Sequence, residues 1–300
     1  MRIVYLGTSA FAADVLRTLA GSAHRPQLVV TRPDRPRGRG RKLASPPVAD
    51  VARELGLALD QPDSVNDEAA RARIADVRPD AVCVCAFGAL IREPLLSEHP
   101  MLNVHPSLLP RWRGAAPVER AIMAGDERTG VSIMRLTAGL DSGPVCLTGE
   151  EPIGAQDTYG TLAPRLARTG GTLLVRALDT GLDGLAWAEQ DEAAATYAEK
   201  ITAEDRLLDP ERPAVQLART IRALTPHIGA AILLPDGARL GVWAATARAA
   251  APGDPARGQL ALDGEVPVLG CGEGTLALET VQPAGRRAMP GADFLRGLRG

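Results

Sequence analysis

Through the N-terminal half of the chain, short β-rich apolar runs alternate with segments whose apolar residues recur at helix spacing. Residues 2–6 are such a run, closed by Gly7, and Phe11, Val15, Leu16 and Leu19 then share one side of a helix. Residues 27–30 read as a second strand, 47–55 as a helix after the break at Pro46-Pro47, and 69–77 as a further helix. Residues 81–87 form a continuous apolar strand of the kind buried on both faces. A strand at 102–105, a helix at 116–124, a strand at 131–136 and a helix at 161–178 continue the pattern. This alternation predicts an α/β fold with a doubly wound, mainly parallel sheet, whose ligands gather at the carboxyl ends of the strands.

The pattern changes after that. Residues 181–200 are a polar, irregular connection ending in TYAEK, and 212–224 form one amphipathic helix. Two Asp-Gly pairs, Asp236-Gly237 and Asp263-Gly264, separate apolar runs. Each reads as a hairpin turn in which both central residues take positive φ. Gly272-Glu273-Gly274 marks a third turn, and three hairpins without intervening helices predict a small all-β barrel. A chain of 300 residues suggests about two domains. The division expected here is 1–185 and 204–300, joined by 186–203.

Composition narrows the function. Aromatic residues make up 3% of the chain, so its core is built from Ala, Val, Leu and Ile. With 34 basic against 36 acidic residues, overall charge excludes a protein that coats nucleic acid, but not a local basic patch. Cys83, Cys85, Cys146 and Cys271 form no CxxC pair, and the histidines show no metal-binding spacing, so neither a disulfide framework nor a metal is expected. The longest apolar run, 81–91, is too short to span a bilayer, and no membrane partner is expected. Arg2 and the apolar stretch ending at Ala12 imitate a signal peptide, but Gly7, Thr8 and Ser9 interrupt it as a strand–turn–helix would. A cytoplasmic protein with reduced thiols is expected.

The stretch 102–117 reads LNVHPSLLPRWRGAAP. Asn103 and His105, two apart on a strand, face the same side, Val104 faces the other, and Pro106 and Pro110 stiffen the following loop. An amide beside an imidazole at a strand end can bind a developing oxyanion and handle a proton. Taken alone, an N-x-H of this kind more often caps a strand edge.

The longer string, N-x-H followed by SLLP, resembles the signature of the 10-formyltetrahydrofolate-dependent formyltransferases. RIVYLGTSAFA (2–12), TRPDRPRGRGRKL (31–43), RWRGAAP (111–117), GLDSGPV (139–145) and TYAEKIT (196–202) are similar to the members of that family that act on methionyl-tRNA. The resemblance implies a Rossmann-like formyltransferase domain followed by an OB-like barrel that binds tRNA. It also implies transfer of the formyl group of 10-formyltetrahydrofolate, a co-substrate, to the α-amine of methionyl-initiator tRNA for translation initiation. The catalytic residues it implies are Asn103, His105 and Asp141, and the folate-contacting turn is Ser107, Leu108, Leu109 and Pro110. A monomer without metal is expected. Asp141 lies in a Gly-flanked turn, and without the resemblance it reads as a turn-former. An aminoacyl amine, with a pKa of about 8 or below, needs no strong base, so the demand falls on stabilising the oxyanion.

Residues 32–42 carry Arg32, Arg35, Arg37, Arg39, Arg41 and Lys42 against one acid, Asp34. Pro33, Pro36, Gly38 and Gly40 argue against a regular element, which leaves a solvated loop or an arm that neutralises phosphates. The resemblance implies the arm, with Arg35, Arg37, Arg39, Arg41 and Lys42 meeting tRNA. Two features depart from the family: residues 204–300 hold 11 acidic and 11 basic residues, and His227-Ile228 stands where the family has Trp-Pro. Arg286 and Arg287 read equally as a basic patch or a solvated turn. Three rivals fit less of the chain. A formyltransferase for a nucleotide or sugar amine has no need of the basic arm or the terminal barrel. A dinucleotide-dependent dehydrogenase needs GxGxxG, where residues 7–12 hold a single glycine. An RNA-binding module leaves Asn103 and His105 without a purpose.

Overall fold

Strand β1 (Ile3–Gly7) is buried along its whole length, with strands paired on both sides. The computed structural model describes residues 1–37, 42–234, 236–262 and 264–299. The elements that follow are α1 (Ala10–Ala20), β2 (Leu28–Val30), β3 (Arg35–Arg37), β4 (Lys42–Ala44), α2 (Pro47–Glu54), β5 (Leu59–Asp60), α3 (Glu68–Val77) and β6 (Ala81–Cys85). After them come α4 (Leu95–Glu98), β7 (Met101–His105), β8 (Arg113–Gly114), α5 (Pro117–Ala124), β9 (Arg128–Arg135), β10 (Val145–Pro152), α6 (Tyr159–Thr180) and β11 (Tyr197–Ala198). The chain divides into two units, the first comprising Met1–Gly114, Arg128–Pro152 and Ala163–Tyr197, and the second Ala115–Glu127, Ile153–Leu162 and Ala198–Gly300.

The first unit holds a seven-stranded sheet in the order β10-β9-β7-β6-β1-β2-β5. β7, β6, β1, β2 and β5 run parallel, β9 is antiparallel to β7, and β10 is antiparallel to β9. From β1 the chain moves outward through β2 to β5, then returns to the other flank of β1 at β6, so strand order reverses between β1 and β6. Ligands bind at such a reversal, beyond the carboxyl ends of the strands. Gly7 ends β1 there because a Cβ would lie 2.8 Å from the Tyr5 ring and 2.9 Å from Ala12 Cβ. Ser9 caps α1, its hydroxyl accepting from the Ala12 N–H at 3.2 Å.

One face of the sheet buries Val4, Leu6, Val82, Val84 and Met101 against Val65, Ile74 and Leu95. On the other face, Val104 packs so closely on Gly170 of α6 that a Cβ at that glycine would sit 2.8 Å from a Val104 methyl. Cys83 and Cys85 lie beside Tyr5, and burial pushes both thiols up to about 12, making them packing groups rather than nucleophiles. All four cysteines are free thiols.

One strand of this unit was not foreseen, and one sequence expectation needs correction. The edge strand β10 does not follow from periodicity, because its alternation is carried by half-buried and exposed residues, including Glu150 and Glu151. The described ends of the basic stretch are regular after all, residues 38–41 lying outside the described residues. β3 and β4 pair antiparallel, Arg35 with Ala44, Pro36 with Leu43 and Arg37 with Lys42. A two-stranded ribbon has only outer edges, so a proline that donates no ladder hydrogen bond is tolerated there.

The second unit adds α7 (Ala214–Leu224), β12 (Ala230–Leu233), β13 (Arg239–Arg248), β14 (Leu260–Ala261), β15 (Val268–Gly270), β16 (Thr275–Pro283), β17 (Met289–Pro290) and α8 (Gly291–Arg299). Its antiparallel sheet runs β12-β13-β16-β15-β14, with β17 also beside β16. Leu217, Ile221 and Leu224 of α7 share a core with Leu240, Val242, Leu276 and Leu278. The three turns foreseen from glycine do join successive antiparallel strands. In the first, Gly237 has φ +79, as a hairpin glycine should; Asp263 of the second lies outside the described residues. Asp236 accepts from the Ala238 N–H at 2.9 Å, within a loop closed by a Leu234–Ala238 backbone bond.

His227 stacks on Tyr159 at 3.7 Å between centroids, and its Nε2 lies 2.9 Å from Glu119 Oε1. Arg286 and Arg287 are exposed on the turn between β16 and β17. No described helix is long and apolar enough to cross a membrane.

Arg120 of α5 grips Asp205 through two hydrogen bonds, at 2.8 and 3.0 Å. This guanidinium holds the Asp205 carboxyl at about 2, below its ordinary 3.8. A depressed carboxyl stabilises the fold fully above its unfolded value, and that stability is lost as pH falls through the folded value. Asp205→Asn is therefore expected to cost about 1–2 kcal/mol at neutral pH, after allowance for partial exposure. The gap from the parent should close between roughly pH 4 and pH 2, as read by urea unfolding across that range.

Candidate active site

β7 is paired on both sides. Asn103 aligns with Val84 of β6 and Met134 of β9, and His105 aligns with Ser132 of β9. Alternation along the strand then turns Asn103 and His105 to one face, at the carboxyl end where the sequence pattern puts the site. Asn103 is 8% exposed and His105 4%. The Asn103 carboxamide has no hydrogen-bond partner among the described residues and is not sealed from solvent, so its donor and acceptor remain available.

His105 is held from both ends. Its Nε2 donates to the Trp112 carbonyl at 2.9 Å, which requires the proton on that nitrogen. Nδ1 faces Asp141 Oδ2 at 3.6 Å, within ion-pair range but longer than a hydrogen bond. The same carboxylate oxygen accepts from the Gly114 N–H at 2.8 Å. Trp112 and Asp141 both have positive φ, 63° and 45°, a conformation unusual for residues with a side chain. One presents a carbonyl and the other a carboxylate to the same imidazole. The three residues proposed from the sequence, Asn103, His105 and Asp141, are thus brought together within one unit.

The turn Ser107–Leu108–Leu109–Pro110 follows directly. Ser107 is fully buried, and its hydroxyl donates to the Arg111 carbonyl at 2.6 Å. Ser132 escaped sequence reasoning. Its hydroxyl donates to the Ser107 carbonyl at 2.7 Å and accepts from the Leu109 N–H at 3.1 Å, so it pins the turn from the neighbouring strand. Gln190, also unforeseen, donates to the Asp141 and Gly143 carbonyls, both at 2.7 Å. Nothing short-range marks either residue, because both act through partners distant in sequence. A cleft of about 320 Å³ borders this region, lined in part by Leu109, Pro110, Val145, Leu147 and Gln190.

At the end of β6, Ala86 and Gly88 have positive φ, and the turn is tied down by Thr8 Oγ1 on the Phe87 carbonyl (2.6 Å) and Arg32 on the Gly88 carbonyl (2.5 Å). Of the basic stretch, Arg32 is therefore engaged with this turn and Arg35 is exposed. Arg37 and Lys42 lie on the ribbon, and Arg39 and Arg41 fall outside the described residues. The ribbon's base is fixed: Gln61 donates to the Arg32 carbonyl (3.0 Å) and to Asp34 (2.8 Å), and Arg53 donates to Ser45 (2.8 Å). Among the described residues, no group of three His, Cys, Asp or Glu side chains is gathered as for a metal ion.

The sequence profile of the family described as Formyl transferase matches residues 1–178, and that of Formyl transferase, C-terminal domain, matches 200–299. The methionyl-tRNA formyltransferase of Halorhodospira halophila is 43% identical over 301 residues, covering 99% of this chain and 96% of its own. That of Methylococcus capsulatus is 42% identical over 298 residues, covering 98% and 96%. HypX from Aquifex aeolicus, solved in complex with tetrahydrofolic acid, shares the fold with a TM-score of 0.67 at 17% identity over 98% of this chain. The chain spans 47% of the length of that larger protein.

Ser132→Ala leaves a buried carbonyl and a half-buried N–H without their partner. It is expected to lower unfolding free energy by about 1–3 kcal/mol, measured by chemical denaturation.

Proposed function

Because the chain belongs to the methionyl-tRNA formyltransferase family, we propose that it transfers the formyl group of 10-formyltetrahydrofolate to the α-amine of methionyl-initiator tRNA, and that Asn103, His105 and Asp141 carry the reaction. The observation that supports these residue roles is the unpartnered Asn103 carboxamide beside a clamped imidazole, at the carboxyl end of a strand paired on both sides. As the amine adds to the formyl carbon, negative charge grows on the formyl oxygen, and the Asn103 N–H is the free donor for it. The His105 Nε2–H is spent on a carbonyl, so Nδ1 is the nitrogen left to exchange the proton that the amine loses. Asp141 balances the charge of the imidazolium that results. As the intermediate collapses, the bond between the formyl carbon and the folate nitrogen breaks, and that nitrogen leaves with the proton held at His105 Nδ1, so tetrahydrofolate departs with a neutral amine and the imidazole is restored.

The pinned backbone of Leu109 and Pro110 serves as a rigid wall for the folate, and Ser107 serves as the bond that shapes it. Residues 1–185 then carry the chemistry and 204–300 contribute to tRNA binding. The enzyme is read as a monomer acting in the cytoplasm, where the thiols stay reduced.

The deciding experiment compares formyl transfer from 10-formyltetrahydrofolate to charged initiator tRNA, to free methionine and to a nucleotide amine. Only the first should proceed at an enzymatic rate, and equal use of the nucleotide amine would contradict the assignment. Asn103→Ala is expected to lower kcat on the order of a hundredfold, the usual effect of losing an oxyanion donor.

The basic ribbon is read as the arm that meets tRNA phosphates. Its base is staked by Gln61 and Arg53. Reversing both Arg39 and Arg41 to Glu should raise KM for tRNA about tenfold or more and flatten its salt dependence, with KM for the folate unchanged. Unaltered tRNA kinetics would remove the arm from the reading.

A further inference from the structure

We propose that Gln190 is a positioning residue for this reaction, a single carboxamide that holds the Asp141 turn in register with His105. The proposal rests on the reading of Asp141 as the carboxylate that works with His105. Both Nε2 hydrogens of Gln190 are used, one on the Asp141 carbonyl and one on the Gly143 carbonyl, each at 2.7 Å. Its Oε1 accepts from Arg113 Nε at 3.0 Å. Only this orientation satisfies the contacts, because two carbonyl oxygens can only accept and a guanidinium nitrogen can only donate.

Arg113 is a stiff support for that amide. Its side chain is 2% exposed, and its remaining edge is clamped by both carboxylate oxygens of Glu192, at 2.9 and 2.7 Å. The residues flanking Arg113 also reach the site: the Trp112 carbonyl takes the His105 Nε2–H, and the Gly114 N–H reaches Asp141 Oδ2. The contacts therefore close a ring. His105 is held by Trp112, and the Asp141 backbone hangs from Arg113 through Gln190. The Asp141 carboxylate returns to Gly114 and faces the imidazole.

The turn has little slack elsewhere. At Gly143 a Cβ would lie 2.0 Å from the Arg135 carbonyl, so that side is fixed by strand β9. The left-handed backbone of Asp141 is the part that needs an added restraint, and Gln190 supplies it. A rotation of the Asp141–Ser142 peptide would carry the carboxylate away from the imidazole, altering the reaction step while leaving the substrate-contacting surfaces in place.

Gln190→Met keeps the length of the side chain and removes both donors, and Gln190→Asn serves if the first variant does not accumulate as folded protein. Two readouts are taken on the full chain: steady-state formyl transfer to methionyl-tRNA, and hydrogen exchange at the Gly114 amide, which reports the bond to Asp141 Oδ2. The expected result is a kcat lower by about tenfold, with KM for both substrates within about twofold. Gly114 exchange should rise at least about tenfold while amides of β1 and β6 keep their parent protection. Unchanged kcat, or lowered kcat with unchanged Gly114 exchange, overturns the proposal. A parent enzyme that transfers no formyl group overturns the proposed function instead, and Gly114 exchange then still decides whether Gln190 holds the turn.

Discussion

Strand β7 is the member on which the site depends. It is bonded to β6 on one side and β9 on the other, so neither edge can fray and its register has two independent supports. Side chains alternate along a strand with a period of two, and a slip by one residue would bury Asn103 and His105 against α6 and turn Val104 toward the ligand side. The tight contact between Val104 and Gly170 makes that slip costly, because His105 would have to fit where a methyl group leaves no room. Register on β9 also places Ser132 directly across from His105, within reach of the turn that follows it.

Of the four described non-glycine residues in left-handed backbone, the two that lie beyond the end of β7, Trp112 and Asp141, serve the same imidazole. Such conformations persist only where their surroundings over-determine them. At Trp112 the surroundings are a hydroxyl from Thr196 on its N–H and the imidazole on its carbonyl. At Asp141 they are Gly114 and Gln190. Each of these polar groups is buried or half-buried and engaged, as low local dielectric demands. The basic ribbon shows a related economy. Arg32 serves the turn after β6 rather than solvent, and Asp34, the one acid of the stretch, helps anchor the ribbon's base through Gln61.

Much of the fold could be read from local pattern. Four of the five parallel strands, and helices α1, α2 and α3, follow from runs of Val, Ile, Leu and Ala at spacings of two or about three and a half, and the terminal hairpins follow from glycine; the two-residue β5 and the four-residue α4 are too short to leave such a pattern. Asn103 and His105 were likewise legible, because a strand end is a local event and an N-x-H puts both side chains on one face. Asp141 was legible only through resemblance, since a Gly-flanked Asp is by itself a turn-former. Where local pattern misled, the cause was tertiary. Pro36 and its neighbours look unfit for a strand until an isolated ribbon with two free edges is available. β10 looks too polar until it is recognised as the last strand of its sheet.

Residue order by itself determined the α/β alternation, the change to antiparallel hairpins and the strand end that bears an amide and an imidazole, because hydrophobic periodicity and turn chemistry act between residues a few positions apart. Tertiary structure alone decided that Ser132 props the turn, that Gln190 and Arg113 hold the aspartate, and that α5 packs on α7 within the second unit. The physical reason is that a buried polar atom must find a partner wherever the folded chain passes, and that partner can lie any distance away in sequence.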